Sequence, residues 1–414
     1  MPFVRWMFAT LVLTVVTSAV PAAPPTEDGA KPVAQPSTGP WNMTSLHKCP
    51  TYKWGEGTKV RELYYQGEPY KGKATRVFAY YATPGTLSGD PTRDKNLPAI
   101  VLVHGGGGRA FDKWATLWAQ RGYAAIAMDL AGRGPRGARM TGGGPGQSDN
   151  VKFGMIDQPV TDQWTYHAVA NAVLAHSLIR SFPEVDANRT AVTGISWGGY
   201  LTCIVAGVDN RFKAAVPVYG CGFLHENSFW LGRFAEMSAA QKAKWVRLWD
   251  PSRYAGSARM PVLFVSGGKD FAYPPDSYAK TYDLVQSTKN IHFVPNLRHG
   301  HIFDKPKAIE VFIRQQLENK TPLARIAEPQ IRNGQVSAKV ETQTKLVSAA
   351  LHYTTNEISE GPAKRKWQQQ QATIEQNVIK TATPPKAAKI WFLTVTDERK
   401  TTVSTKPFVS VSGK

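Results

Sequence analysis

The segment Thr190-Ala191-Val192-Thr193-Gly194-Ile195-Ser196-Trp197-Gly198-Gly199-Tyr200 decides the fold. Thr190, Val192, Thr193 and Ile195 form a β-branched run with strand character, and the small residues from Gly198 onward continue as a helix. A Gly-x-Ser-x-Gly match alone is weak in a glycine-rich chain. At a strand-to-helix junction it is specific. Such a turn strains the backbone at the serine, holds its Oγ out at the carboxyl edge of a sheet, and needs glycine where neighbouring backbone passes close. The helix N-terminus behind it adds partial positive charge where an oxyanion would form.

Outward from this junction, short apolar runs predict strands at 77–83, 99–104, 123–129, 190–195, 214–219, 261–266 and 291–294. Helical patterns fall at 112–121, 162–180, 198–208, 276–285 and 305–317. The alternation predicts an α/β fold over 75–320, with a mostly parallel sheet and helices on both faces. Residues 24–74 read as an N-terminal extension, Pro- and Ala-rich over 24–40. The stretch 131–154 holds eight glycines and reads as a long irregular loop. Residues 221–260 carry Phe223, Phe229, Trp230, Phe234, Trp245, Trp249 and Tyr254, and read as a cap over the site. After Lys320 helical patterning gives way to short alternating runs, as at Val336, Ala338 and Val340, which predict a small β-sandwich over 327–414. Trp367 there reads as core rather than as a sugar platform. His176, at helical spacing from Val169, Ala172 and Val173, reads as a packed helix residue.

A serine hydroxyl needs a base, and the base needs an orienting acid. On a sheet of this kind the partners follow in the order Ser, Asp, His, each just after a strand. Asp270, behind the strand at 261–266 and the pair Gly267-Gly268, fits the acid; Glu226 is the rival. Two histidines, His299 and His301, precede the last helix. His299 is favoured because Gly300 frees the loop to aim its ring back at Ser196. Oxyanion donors are expected from the amides of Trp197 and Gly106, with Gly105 and Gly107 as near alternatives in the glycine loop after His104. His104 itself reads as a brace for that loop.

Other patterns carry less. Gly132-Arg133-Gly134-Pro135-Arg136-Gly137 matches G-x-G-x-x-G, but a dinucleotide site needs a helix opening immediately behind it, which Pro135 and the following glycines oppose. The loop after His104 lacks the Lys-Ser/Thr of a phosphate-binding loop, and no His/Asp/Glu cluster has metal spacing. No cofactor and no metal are implied. Residues 1–23 have the layout of a signal peptide: Arg5, an apolar stretch from Trp6 to Val20, then small residues. The stretch is short for a spanning helix, so export without stable membrane insertion is expected. Cys49, Cys203 and Cys221 fit no dense disulfide framework; Cys203 with Cys221 is the pair export would permit, and buried free thiols are the favoured reading. The formal charge of +19 is spread along the chain rather than gathered in a basic helix or aromatic-basic stripe, so no nucleic-acid partner is expected.

Together the His-Gly-Gly-Gly loop, Gly-Ile-Ser-Trp-Gly-Gly-Tyr, Gly-Gly-Lys-Asp and Arg-His-Gly resemble the α/β-hydrolase superfamily over roughly 75–320. Within it the chain resembles secreted dienelactone-hydrolase and acetyl xylan esterase-like proteins. It also looks like the catalytic domain of prolyl-oligopeptidase-type peptidases, which share the aromatic residue after serine and the Gly-Gly-Tyr behind it. The resemblance implies an eight-stranded sheet and the triad Ser196, Asp270 and His299, and leaves the substrate open; hydrolysis of a small-molecule or carbohydrate ester is the favoured expectation. Peptide-bond cleavage and a retired, purely binding scaffold are the alternatives.

Overall fold

The computed structural model describes residues 39–410; the signal-peptide reading of 1–23 lies outside them. Nine described strands before residue 300 form the main part of the larger sheet: β1 (Tyr52–Trp54), β2 (Arg61–Tyr70), β3 (Lys73–Ala82), β4 (Leu97–Val103), β5 (Ala124–Met128), β6 (Val185–Ile195), β7 (Ala214–Val218), β8 (Val262–Lys269) and β9 (Lys289–Arg298). Their order is β1-β2-β3-β5-β4-β6-β7-β8-β9. From β5 to β9 every pairing is parallel, whereas β1, β2 and β3 join antiparallel. Every residue of β5 and β7 is buried, as a parallel sheet covered on both faces requires.

All seven expected strands are present, with ends moved by a few residues. The correction lies at the front of the chain, where β1 and β2 are sheet strands and not part of an extension. In β2, Leu63 and Tyr65 are buried and the Tyr65 hydroxyl donates to the Asn171 carbonyl at 2.7 Å. The helix Trp164–Ile179 is buried along its whole length, packed on the sheet and on the helix Trp197–Val208.

The C-terminal strands form an extra β-domain. The strand Gln368–Glu375 pairs with Leu346–Thr354 over its first half and with Val378–Ala382 over its second, so it passes from one antiparallel sheet to the other. Ser404, on the strand Thr402–Ser404, pairs with Ile291 of β9, and the Phe293 amide donates to the Ser404 hydroxyl at 2.8 Å. Val336, Leu351, Leu393 and Val403 join the same core as the hydrolase-like sheet, and the described residues form one compact unit. Trp367 packs on Phe293 and Phe392. Cys203 and Cys221 are buried free thiols and Cys49 is exposed, so the Cys203–Cys221 disulfide is absent.

Candidate active site

Ser196 caps the helix Trp197–Val208 with φ 62° and ψ −121°, a left-handed conformation of a non-glycine residue that costs about 1–3 kcal/mol. Its amide donates to the Val218 carbonyl of β7 at 2.9 Å, which holds the turn against the sheet. The flanking glycines are required by contact. A Cβ on Gly198 would lie 1.9 Å from the Val103 carbonyl oxygen, and one on Gly194 would lie 2.2 Å from that of Gly198.

The turn brings Ser196 to residues from two further strand ends. The Ser196 hydroxyl donates to His299 Nε2 at 2.8 Å, and His299 Nδ1 donates to Asp270 Oδ2 at 3.0 Å. Asp270 Oδ1 accepts from the amides of Ala272 and Tyr273 at 2.7 and 3.1 Å. The Asp270 side chain is 1% exposed and that of His299 13%, so the base reaches solvent while the acid does not. The imidazole is framed by the rings of Tyr219 at 4.6 Å and Phe271 at 4.9 Å, and the Tyr219 hydroxyl donates to the Arg298 carbonyl at 2.8 Å, steadying the loop. The rivals lie elsewhere. His301 packs edge-on to Phe111, and burial lowers its basicity. Glu226 pairs with Lys280 at the surface.

The loop after β4 lies against the serine. A Cβ on Gly105 would lie 3.0 Å from Ser196 Cβ, and one on Gly106 would lie 2.6 Å from Trp197 Cδ1. Trp197 is the first helical residue, whose amide has no intrahelical acceptor. His104 is buried and ties the loop down: Nδ1 donates to the Gly105 carbonyl at 2.8 Å, while Nε2 accepts from the Leu130 amide at 2.9 Å.

A cavity of about 500 Å³ opens over Ser196. Its lining includes the aromatic residues Trp197, Phe229, Trp230 and Phe271 and a polar wall of Arg133, Gln147, Ser148, Asp149 and Lys152, the two meeting where Lys152 lies over the Trp197 ring. The polar wall comes from the glycine-rich stretch 131–154, whose residues the sequence reading left without a role. Its length between strand and helix was the available signal, since long loops in compact domains are usually functional. Lys152 is buried 4.5 Å above the Trp197 ring and pairs with Asp149 at 2.8 Å. Burial lowers its basicity, partly offset by Asp149. The G-x-G-x-x-G match runs into a 3₁₀ turn, Pro135–Gly137, and not a helix. Of the cap aromatics, Phe234, Trp245, Trp249 and Tyr254 are core, Trp230 lines the cavity, and Phe229 stands 61% exposed at its mouth.

A second Asp–His–hydroxyl chain is sealed. His176 Nδ1 donates to Asp209 at 2.8 Å and its Nε2 meets the Thr190 hydroxyl at 2.8 Å, all three fully buried. It ties a helix to β6 and has no route to substrate. Among the described residues, no three His, Cys, Asp or Glu side chains are placed to hold a metal ion, and no helix is long and apolar enough to cross a membrane.

The family model described as Acetyl xylan esterase (AXE1) matches residues 55–243, and that of PhoPQ-activated pathogenicity-related protein matches 232–361. Uncharacterized peptidase YuxL of Bacillus subtilis (strain 168) is 27% identical over 54% of this chain and 33% of its own length. Acetyl esterase Axe7A of Xylanibacter ruminicola is 22% identical over 50% of this chain and 51% of its own. The chain thus spans about a third and about half of these two relatives. Acetyl xylan esterase from Paenibacillus sp. R4 shares the fold, with a TM-score of 0.55 and 22% identity over 67% of this chain and 92% of that one.

Proposed function

We propose, from the premise that the chain is an α/β-hydrolase, that it is an exported serine hydrolase of carboxylic esters acting through an acyl-enzyme on Ser196. The reading rests on one observation: a strained, cavity-facing serine hydroxyl 2.8 Å from an imidazole whose other nitrogen is held by a buried carboxylate. Ser196 Oγ attacks the ester carbonyl carbon as its proton passes to His299 Nε2. The oxyanion accepts from the Trp197 and Gly106 amides, where each donor contributes about 100- to 1,000-fold in rate. Collapse expels the alcohol, which takes the proton from His299. Water, deprotonated by the same nitrogen, then releases the acid and restores Ser196. Asp270 keeps the proton on Nδ1 and stabilises the imidazolium that forms.

The mixed aromatic and polar lining of the cavity supports an alcohol with an apolar face and several hydroxyls, as in an acetylated sugar. Phe229 and Phe271 meet edge-on at 5.3 Å at the mouth, Phe271 53% exposed, and offer a stacking surface. Arg133, Asp149 and Lys152 in the same cavity offer donors and acceptors. Export is supported by the leader-like layout of residues 1–23. The test is turnover of p-nitrophenyl acetate and of acetylated xylan by the wild type and Ser196→Ala. Activity lost in the variant supports the reading; equal activity in both refutes it. Faster cleavage of aminoacyl anilides than of esters would make the enzyme a peptidase.

A further inference from the structure

Asp270 must be held still, and its loop is gripped from outside the hydrolase sheet. Gly268, two residues before the acid, donates nothing through a side chain; what fixes it is its neighbours. Arg365, from the C-terminal β-domain, is 2% exposed and donates from its guanidinium to the Gly268 carbonyl at 2.8 Å. A Cβ on Gly268 would lie 2.4 Å from Trp367 Nε1 and 2.4 Å from the Pro295 carbonyl oxygen, so the residue is pressed between an indole of the β-domain and the backbone of β9. The next contact is the turn itself: the Asp270 amide donates to the Gly267 carbonyl at 3.1 Å. A buried guanidinium with its Nε unpaired is an unusual choice for mere packing. It is placed on the Gly268 carbonyl, next in the chain to the Gly267 carbonyl that closes the turn onto the Asp270 amide.

We propose that Arg365 is a positioning residue for Asp270, and that the β-domain thereby acts on the triad. With the Gly268 carbonyl held, the carboxylate stays on the two amides at 272 and 273 and within reach of His299 Nδ1. Released, the turn rotates and the carboxylate shifts. A misplacement of about 1 Å costs about 100-fold in rate. This inference rests on the triad reading above.

The experiment is a double-mutant cycle on the full chain: wild type, Arg365→Ala, Asp270→Ala and the pair, each assayed for kcat and KM on p-nitrophenyl acetate and for melting midpoint. Arg365→Ala is expected to lower kcat about 10- to 100-fold with KM within about twofold. Methylguanidine in the assay should restore part of that loss, by refilling the vacated site. In the Asp270→Ala background the same substitution should have no further effect, because residues that act as a unit are not additive. Equal losses in both backgrounds, or an unchanged kcat in folded Arg365→Ala, overturns the proposal. Should Arg365→Ala fail to fold, Arg365→Lys, which keeps the charge and loses the fork, completes the same cycle with an expected loss of about 3- to 10-fold. A wild type no more active than Ser196→Ala would instead sink the triad reading itself.

Discussion

Replacing Gly198 by alanine puts a methyl group where the end of β4 already lies. The new Cβ would sit 1.9 Å from the Val103 carbonyl oxygen and 2.7 Å from that of His104. Real Cβ contacts essentially never fall below 3.0 Å, so serine turn and strand must part by at least 1.1 Å, the difference between 3.0 and 1.9 Å. Both partners are backbone in a buried sheet, and neither can swing aside. Overpacking of this kind destabilises by about 1–3 kcal/mol, a loss of a few degrees in melting midpoint. The catalytic effect is larger, because the shift separates Ser196 from the loop that carries Gly106 and disturbs the 2.8 Å bond to His299. About 1 Å of misplacement predicts roughly a 100-fold fall in kcat/KM on p-nitrophenyl acetate, with fluorophosphonate labelling slowed in parallel. Gly232→Ala is the control, since a Cβ there meets nothing within 4 Å and the residue lies in a short helix; it should leave both rates unchanged. A folded Gly198→Ala enzyme within threefold of wild type would refute the steric account of this turn.

Two further outcomes follow from burial. Burial pushes His167 and His292 down to about 4, well below the 6.5 of an unfolded chain. Their contribution to stability is therefore complete above about pH 6.5 and is lost as pH falls toward 4, because only the unfolded chain takes up those protons there. Each adds a slope of up to about 1.4 kcal/mol per pH unit. The melting midpoint should drop between pH 7 and 5, and less steeply in His292→Gln; equal slopes in the two proteins would contradict the burial argument. The cysteines give a simpler count. Cys203 and Cys221 are buried, with burial raising both thiols, and Cys49 is exposed. Ellman's reagent should titrate one thiol in the native protein and three in denaturant without reductant; a single thiol in denaturant would mean that a disulfide links two of them.

The positions of Ser196, Asp270 and His299 were legible because each follows a short apolar run and lies within three residues of a glycine, a local change that sequence records directly. The strand Arg61–Tyr70 was not. Only Leu63, Tyr65 and Gly67 of it are buried, and the register slips between Gly67 and Tyr70. What makes it a strand is its long-range pairing with β3. The polar cavity wall was hidden for a related reason. Lys152 is buried by Trp164 and Trp197, and nothing local to a lysine in a glycine-rich loop announces that. The cap aromatics were visible as a group, but only tertiary packing divides Trp245 and Trp249, which are core, from Phe229 at the cavity mouth.

The pairing of Ser404 with Ile291 bears on solubility. A sheet of parallel strands that stopped at β9 would present a row of bare amides and carbonyls, a template on which another chain could add itself. Here the polypeptide folds back and occupies part of that border itself. Removing the last domain would therefore leave a sticky seam, and the shortened protein would be inclined to self-associate into aggregates rather than remain dispersed.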